Sequence, residues 1–451
     1  MAKRHEGESG ARPGARSGLL LASLATLVTA VSVAIYLGVG GTSRPFADRG
    51  TEPGPAARTV HGNVAPAAAG AWVGTWSTSP AAAEPGAPNG FPGRSLRNVV
   101  HVSIGGTNAR VHLSNLYGAS PLRITNATVA RAAGDGPAAV AGTMRPLTFG
   151  GRPWVVVPAG QAVVSDPARI EVPADSDLLV TTYTPDASGP VTYHPQARQT
   201  SYVADGERTS EVAGAAYRTQ TPYWRYVTGV DVLSREARGS VVAFGDSLTD
   251  GVSSTTNANR RWPDVLADRL AASDDPSLRL GVLNAGISGN RVLVDAAPGV
   301  NPSGLSRFQR DVLSKSGVRT VVVDLGINDI IRVPADADAD RIVRGLKELT
   351  ARAHERGVRV VGATLMPFQG HRGYTPRLEA IREDVNREIR AGGVFDEVVD
   401  FDKALRDPWA PRRLREEYDS GDHLHPSDLG FRRMAEAVDL TTLVGSRATR
   451  L

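Results

Sequence analysis

The sequence predicts an α/β fold: a parallel-sheet αβα sandwich preceded by an all-β sandwich or jelly roll. Two changes of rhythm carry that expectation. Between Ala71 and Arg238, apolar residues recur at every second position in short runs. From Gly239 onward, apolar runs alternate with segments of helical spacing. A third feature, an uncharged apolar stretch over residues 18–41, sets both behind an N-terminal segment of a different kind. A chain of 451 residues has room for two ordinary domains and their extensions.

The N-terminal elements come first. Lys3, Arg4, Arg12 and Arg16 precede "GLLLASLATLVTAVSVAIYLGVGG", Gly18 to Gly41. A helix needs about 20 apolar residues to cross a bilayer. Positive charge before the run places residues 1–17 in the cytoplasm and the remainder outside. Residues 18–41 therefore read as an uncleaved transmembrane anchor or as a signal peptide. The run is long for a signal-peptide core, and no clean small-residue cleavage site follows closely. Residues 42–70 are rich in Pro, Gly and Ala without an apolar period, which predicts a flexible, extended linker.

Over 71–238 the strands are expected in "NVVHVSIGG", "NARVHLSNLYG", "PLRITNATVARA", "PWVVVPAGQAVVS" and "DLLVTTYTP". Val, Ile and Thr alternate there with polar residues, and Gly, Pro, Asn and Asp punctuate the runs. That pattern is the mark of an antiparallel sandwich or jelly roll. Tyr193 and His194 are expected to pack rather than to face the mouth of a site, and Trp72, Trp76 and the aromatic "TPYWRYVTGV" to pack in cores rather than to present a ligand-binding face. Over 239–451, "SVVAFGDS", "LRLGVLNAGISG", "VRTVVVDLGIND", "VRVVGATLMPF" and "FDEVVDFDKAL" read as strands. The helices between and after them are "RRWPDVLADRLAAS", "ADRIVRGLKELTARAHERG", "PRLEAIREDVNREIRAGG" and "HPSDLGFRRMAEAVDLTTL". Such alternation builds right-handed βαβ units and a parallel sheet covered on both faces.

Composition excludes several classes of function. The 51 basic and 47 acidic residues leave a net charge of +4, with no dense Lys/Arg run, so a nucleic-acid partner is not expected. Only Lys3, Lys315, Lys347 and Lys403 are lysines, which together with the abundance of Ala and Gly reads as GC-rich, actinobacterial coding bias. The absence of cysteine rules out disulfides, thiolate catalysis and Cys-ligated zinc. Asp422, His423 and His425 cluster, but no further ligand group stands at metal spacing, so no metal is expected.

In an open parallel sheet the active groups lie just beyond the carboxyl ends of the strands. Three strand ends carry polar signals: Gly245-Asp246-Ser247-Leu248, "NAGISGN" from Asn284 to Asn290, and "GIND" from Gly326 to Asp329. Ahead of the last helix, "GDHLHPSDLG" sets Asp422 three residues before His425. Each signal has a plain alternative. Ser247 with Asp250 three residues later is itself a capping-box pattern. Gly286 competes with Gly289 and His423 with His425, while Asn328 could serve a loop turn. Asp246 reads as a residue that holds its turn.

Together the four blocks resemble the SGNH, or GDSL, family of serine esterases and acyl hydrolases, over roughly Ser240 to Val444. The β-rich region also looks like the N-terminal part of two-domain bacterial members, a looser similarity. The resemblance implies a flavodoxin-like αβα sandwich. It implies Ser247 as nucleophile, His425 as base and Asp422 as the acid that orients His425, because a serine hydroxyl needs a base to take its proton. The donors for the developing oxyanion would be the backbone N–H groups of Ser247 and Gly289 and the side-chain amide of Asn328. No cofactor is implied.

The expected activity is extracytoplasmic hydrolysis of carboxylic esters, with short-acyl or acetyl esters of carbohydrate or small lipid as substrates. The same residues would serve an O-acyltransferase that passes the acyl group to a glycan hydroxyl. A third reading is a carbohydrate-binding module fused to a decayed hydrolase. The partners expected are a small-molecule or glycan ester and, if residues 18–41 are uncleaved, the membrane. The Gly/Pro-rich segment Val292 to Phe308 is expected to border the acyl pocket.

Overall fold

The computed structural model describes residues 70–445. The apolar run 18–41, and the linker up to residue 69, lie outside the described residues. Among the described residues no helix is long and apolar enough to cross a membrane.

The antiparallel part begins with β1 (Ala71–Ser77), β2 (Ala82–Ala83), β3 (Arg94–Val102), β4 (Ala109–Ser114), β5 (Leu122–Ile124), β6 (Asn126–Arg131) and β7 (Arg145–Pro146). It continues with β8 (Val155–Val157), β9 (Ala162–Val164), β10 (Ser176–Thr184), β11 (Thr192–His194) and β12 (Ser201–Asp205), then β13 (Thr219–Thr221), β14 (Trp224–Arg225) and β15 (Val227–Ser234). Two larger sheets form from these, in the orders β1-β15-β4-β9 and β13-β12-β3-β10-β6-β7. Alternation decides which side chains meet between them. Leu96, Val100 and Val102 of β3, Leu178 and Val180 of β10 and Val129 of β6 share one core with Val111, Leu113, Val230 and Val232 of the facing sheet. The intervening residues Val99, Leu179 and Ala130 point the other way and pack in a smaller cluster with Tyr202 and Tyr217. Trp76 meets Trp224 edge to face in the main core, at 4.9 Å between centroids.

The parallel sheet comprises β16 (Gly239–Gly245), β17 (Leu280–Gly286), β18 (Val318–Asp324), β19 (Arg359–Ala363) and β20 (Glu397–Val399), in the order β17-β16-β18-β19-β20. All four pairings are parallel. This is the doubly wound order of flavodoxin-like folds, and its switch point lies beside the end of β16. Every residue of β16 is buried, as a strand covered on both faces requires. The helices are α1 (Ser247–Asp250), α2 (Trp262–Ala271), α3 (Gly304–Phe308), α4 (Ile327–Ile331), α5 (Ala339–His354), α6 (Pro376–Ala391), α7 (Phe401–Leu405) and α8 (Asp428–Ala437). Helix α8 packs against α2 and α7, while α5 packs against α3 and α6.

The two kinds of sheet are closely joined. Strand β1 runs against β17, the edge of the parallel sheet. A Cβ on Gly281 would stand 2.1 Å from the Gly74 carbonyl oxygen, so only glycine permits this approach. Ser103 Oγ accepts from the Val282 N–H at 2.9 Å and donates to the Thr75 carbonyl at 2.7 Å, tying both sides together.

Candidate active site

Strand β16 delivers the chain to Asp246, whose Oδ1 accepts from the Leu248 N–H at 3.0 Å. Asp246 is thus the N-cap of α1, a single turn stopped by Gly251 at φ 89°. Ser247 is the first helical residue, not the cap, and its hydroxyl is left for other work. Asp250 does not close a capping box with it. Its Oδ2 instead accepts from the Ser288 N–H at 2.9 Å and the Ser288 hydroxyl at 2.6 Å, and its Oδ1 faces His194 Nε2 at 2.9 Å.

Ser247 Oγ lies 2.9 Å from His425 Nε2, and His425 Nδ1 lies 2.5 Å from Asp422 Oδ2. Because an ionised carboxylate only accepts, Nδ1 carries the ring proton, and Nε2 of the neutral ring is free to accept from the serine hydroxyl. The loop winds around Asp422, whose Oδ1 accepts from the N–H groups of Leu424 and His425 at 3.0 and 2.8 Å. Burial alone would raise the Asp422 pKa, but the hydrogen bonds from the His425 ring and backbone prevail and hold it below the ordinary value. His423 turns to a different carboxylate, with Nδ1 2.7 Å from Asp419 Oδ2. Among the described residues no His, Cys, Asp or Glu side chains are grouped as a metal would need.

Three donors are expected to serve Ser247: two backbone N–H groups and one side-chain amide. Among the described residues the backbone N–H groups of Ser247 and Gly289 have no acceptor. The Gly286 N–H, by contrast, is taken by Asn284 Oδ1 at 2.8 Å. Gly289 has φ +75°, and a Cβ there would stand 3.2 Å from Arg332 Nε. Asn328 sits in the first turn of α4. Its Nδ2 donates to Asp246 Oδ2 at 2.8 Å and its Oδ1 accepts from Arg332 Nε at 2.9 Å, which fixes the amide and leaves one Nδ2 hydrogen uncommitted. Burial and the neighbouring Asp324 push the Asp246 pKa well up, and burial pushes Asp324 up as well.

Ser247, Asn328, Asp422 and His425 line one cavity of about 620 Å³. Four basic residues that the sequence reading passed over, Arg291, Arg332, His371 and Arg372, line it too. Arg332 follows Asn328 at helical i,i+4 spacing. His371 and Arg372 follow the strand β19, where the strand-end rule points. The expected role of 292–308 is corrected: none of its residues lines this cavity. Its Arg307 is instead wholly buried and donates to the carbonyls of Gly245 and Ala285 at 2.8 and 2.7 Å, bracing the ends of β16 and β17. A separate cleft of about 530 Å³, lined by Gly105, Val172, Leu233 and Leu278 among others, holds no histidine and shares no residue with this one.

Residues 243–433 match the GDSL-like Lipase/Acylhydrolase family. No curated protein matches the chain in a sequence search. Among solved structures the chain is similar to a carbohydrate acetylesterase from Sinorhizobium meliloti, at 18% identity over 44% of this chain and 95% of that one, with TM-score 0.34. It is also similar to the aryl esterase of M. smegmatis, at 18% identity over 44% and 95% of the two chains, with TM-score 0.33. An alpha/beta hydrolase enzyme from the metagenome of Lake Arreo, Spain, has 22% identity over 47% and 98%, with TM-score 0.35.

Proposed function

Because residues 243–433 match the GDSL-like Lipase/Acylhydrolase family, we propose that the chain is a serine esterase with Ser247 as nucleophile. The observation that carries this reading is the chain of contacts Ser247 Oγ, His425, Asp422, at 2.9 and 2.5 Å, beside N–H groups without acceptors.

Ser247 Oγ attacks the ester carbonyl while His425 Nε2 takes its proton, and Asp422 stabilises the imidazolium that forms. The carbonyl oxygen gains negative charge, which the N–H groups of Ser247 and Gly289 and the Asn328 amide receive. Collapse of the tetrahedral intermediate expels the alcohol, which takes the proton from His425. Water then attacks the acyl-enzyme with His425 again as base, and the free acid and Ser247 are released.

Short-acyl esters of carbohydrate or small lipids fit a cavity lined by polar side chains together with Ile331 and Leu424. The Asp422 side chain at the cavity is 49% exposed, so the cavity opens to solvent and water is the acceptor at hand for hydrolysis. The apolar run 18–41 behind four basic residues supports a site of action outside the cytoplasm.

Ser247→Ala is expected to lower hydrolysis of p-nitrophenyl acetate by about 10⁴-fold or more, because nucleophile removal disables the triad as a unit. A fluorophosphonate is expected to label the parent at Ser247 and leave the variant unlabelled. A folded variant as fast as the parent would sink the reading.

A further inference from the structure

The cavity at Ser247 is lined by Arg291, Arg332, Arg372 and His371. Asp422 is the acid in that lining, and its carboxylate is taken up by His425. Some guanidinium groups elsewhere pair with carboxylates, as in Arg225–Glu84, Arg261–Asp264 and Arg382–Glu379, while others, such as Arg97 and Arg269, are taken up by backbone carbonyls. Among the described residues none of the three cavity arginines has an ion-pair partner. Asp329, whose carboxylate feels Arg291, is committed to the N–H groups of Val292 and Leu293 at 2.7 and 3.0 Å.

Position adds to the excess of charge. Arg332 is bonded through Nε to Asn328 and lies against Gly289, so its guanidinium sits beside two of the three oxyanion donors. Arg291 holds a buried Nε with no acceptor. His371 Nδ1 accepts from the Gly373 N–H at 3.1 Å, so in the neutral ring Nε2 is a donor. Burial holds the His371 pKa below its ordinary value; Asp422 opposes this, and Arg372, His425 and Arg332 add to the lowering. A basic cavity of this kind gathers anions and binds carboxylate or phosphate through guanidinium forks.

We infer that the ester taken by this site carries an anionic group, a carboxylate or a phosphate, and that Arg291, Arg332 and Arg372 receive it. This rests on the esterase reading and narrows its substrate class. The anion stands on either the acyl or the alcohol side of the ester, and matched substrates separate the two. The acyl pair is p-nitrophenyl hemiglutarate against p-nitrophenyl pentanoate. The alcohol pairs are 4-acetoxybenzoate against its methyl ester, and acetylated glycerol phosphate against acetylglycerol.

In one of these pairs the charged ester is expected to show a kcat/KM about tenfold or more above its neutral partner at low ionic strength. The advantage is expected to shrink in about 0.5 M NaCl, as screening requires. Arg372→Gln and Arg291→Gln are each expected to cut the charged-to-neutral ratio several-fold, the neutral ester in the same variant reporting that the site is folded. Turnover of the neutral esters with ratios near one in every pair, or ratios untouched by both variants, overturns the inference and leaves the esterase reading standing. No turnover of any ester by the folded parent overturns both.

Discussion

At Ser247 the local rules for capping and for nucleophilic attack ask for the same residue type, and the neighbouring Asp246 resolves the overlap. By taking the Leu248 N–H, Asp246 does the capping and leaves the serine hydroxyl to His425. A similar division separates the two glycines of "GISG": the Gly286 N–H is spent on Asn284, while that of Gly289 is unspent. Asn328 is held at both ends of its amide, by Asp246 and by Arg332. Asn328→Ala is therefore expected to lower kcat by about 10²–10³ with a much smaller change in KM, since an oxyanion donor acts chiefly in the transition state. Steady-state kinetics on a short-acyl ester checks this, and a kcat within a few-fold of the parent would remove Asn328 from the role. These residues were legible in the sequence because each stands at a strand end or in a short motif. The arginines of the cavity were not, since their convergence depends on three separate loops.

Among the elements, β16 and β18 carry the site, and their ends hold an unusual pair. Asp246 follows β16 and Asp324 ends β18; both are buried, burial raises both pKa values, and the Asp324 charge raises that of Asp246 further. Thr249 Oγ1 donates to Asp324 Oδ2 at 3.1 Å and receives the Trp262 indole N–H at 3.2 Å. A carboxyl raised in the folded state binds its proton more tightly there than when unfolded. Its ionisation therefore costs stability as pH rises from the unfolded value, about 4, through the folded one. Asp324→Asn keeps an acceptor for Thr249 and removes that cost. It is expected to stabilise the protein by on the order of 2 kcal/mol at pH 8 and by little near pH 4. Denaturant melts at the two pH values test this, and equal effects at both would refute it. The strands and helices themselves were readable from their periods. The segment 292–308 was misread because Gly and Pro content says nothing of Arg307, which is drawn inward by the carbonyls of Gly245 and Ala285.

On the scale of the whole molecule, the antiparallel region reaches the site through His194. This side chain was expected to pack, and it is buried, yet it also makes two polar contacts. Nδ1 faces the Ser79 carbonyl at 2.8 Å and Nε2 faces Asp250 at 2.9 Å. Both partners are acceptors, so both ring nitrogens carry protons and His194 is an imidazolium. Burial would lower its pKa, but Asp250 outweighs burial and the pKa is raised. Asp250 in turn holds Ser288, the neighbour of Gly289. His194→Ala leaves a buried carboxylate without its cation and is expected to cost about 3–5 kcal/mol. A group with a raised folded pKa contributes fully below its unfolded value, about 6.5, and loses that contribution as pH rises through the folded value. The gap in melting temperature between parent and variant is thus expected to narrow on the alkaline side, and a gap that widens there would contradict the assignment. The order of strands and helices and the residue types at the strand ends could be read directly from the chain, because periodicity and turn chemistry are local. Which N–H groups lack acceptors, which carboxylates are buried near one another and how much positive charge gathers at Ser247 emerge only with the fold. Those depend on pairings across the chain, such as Ser247 with His425 at a separation of 178 residues, which no local pattern records.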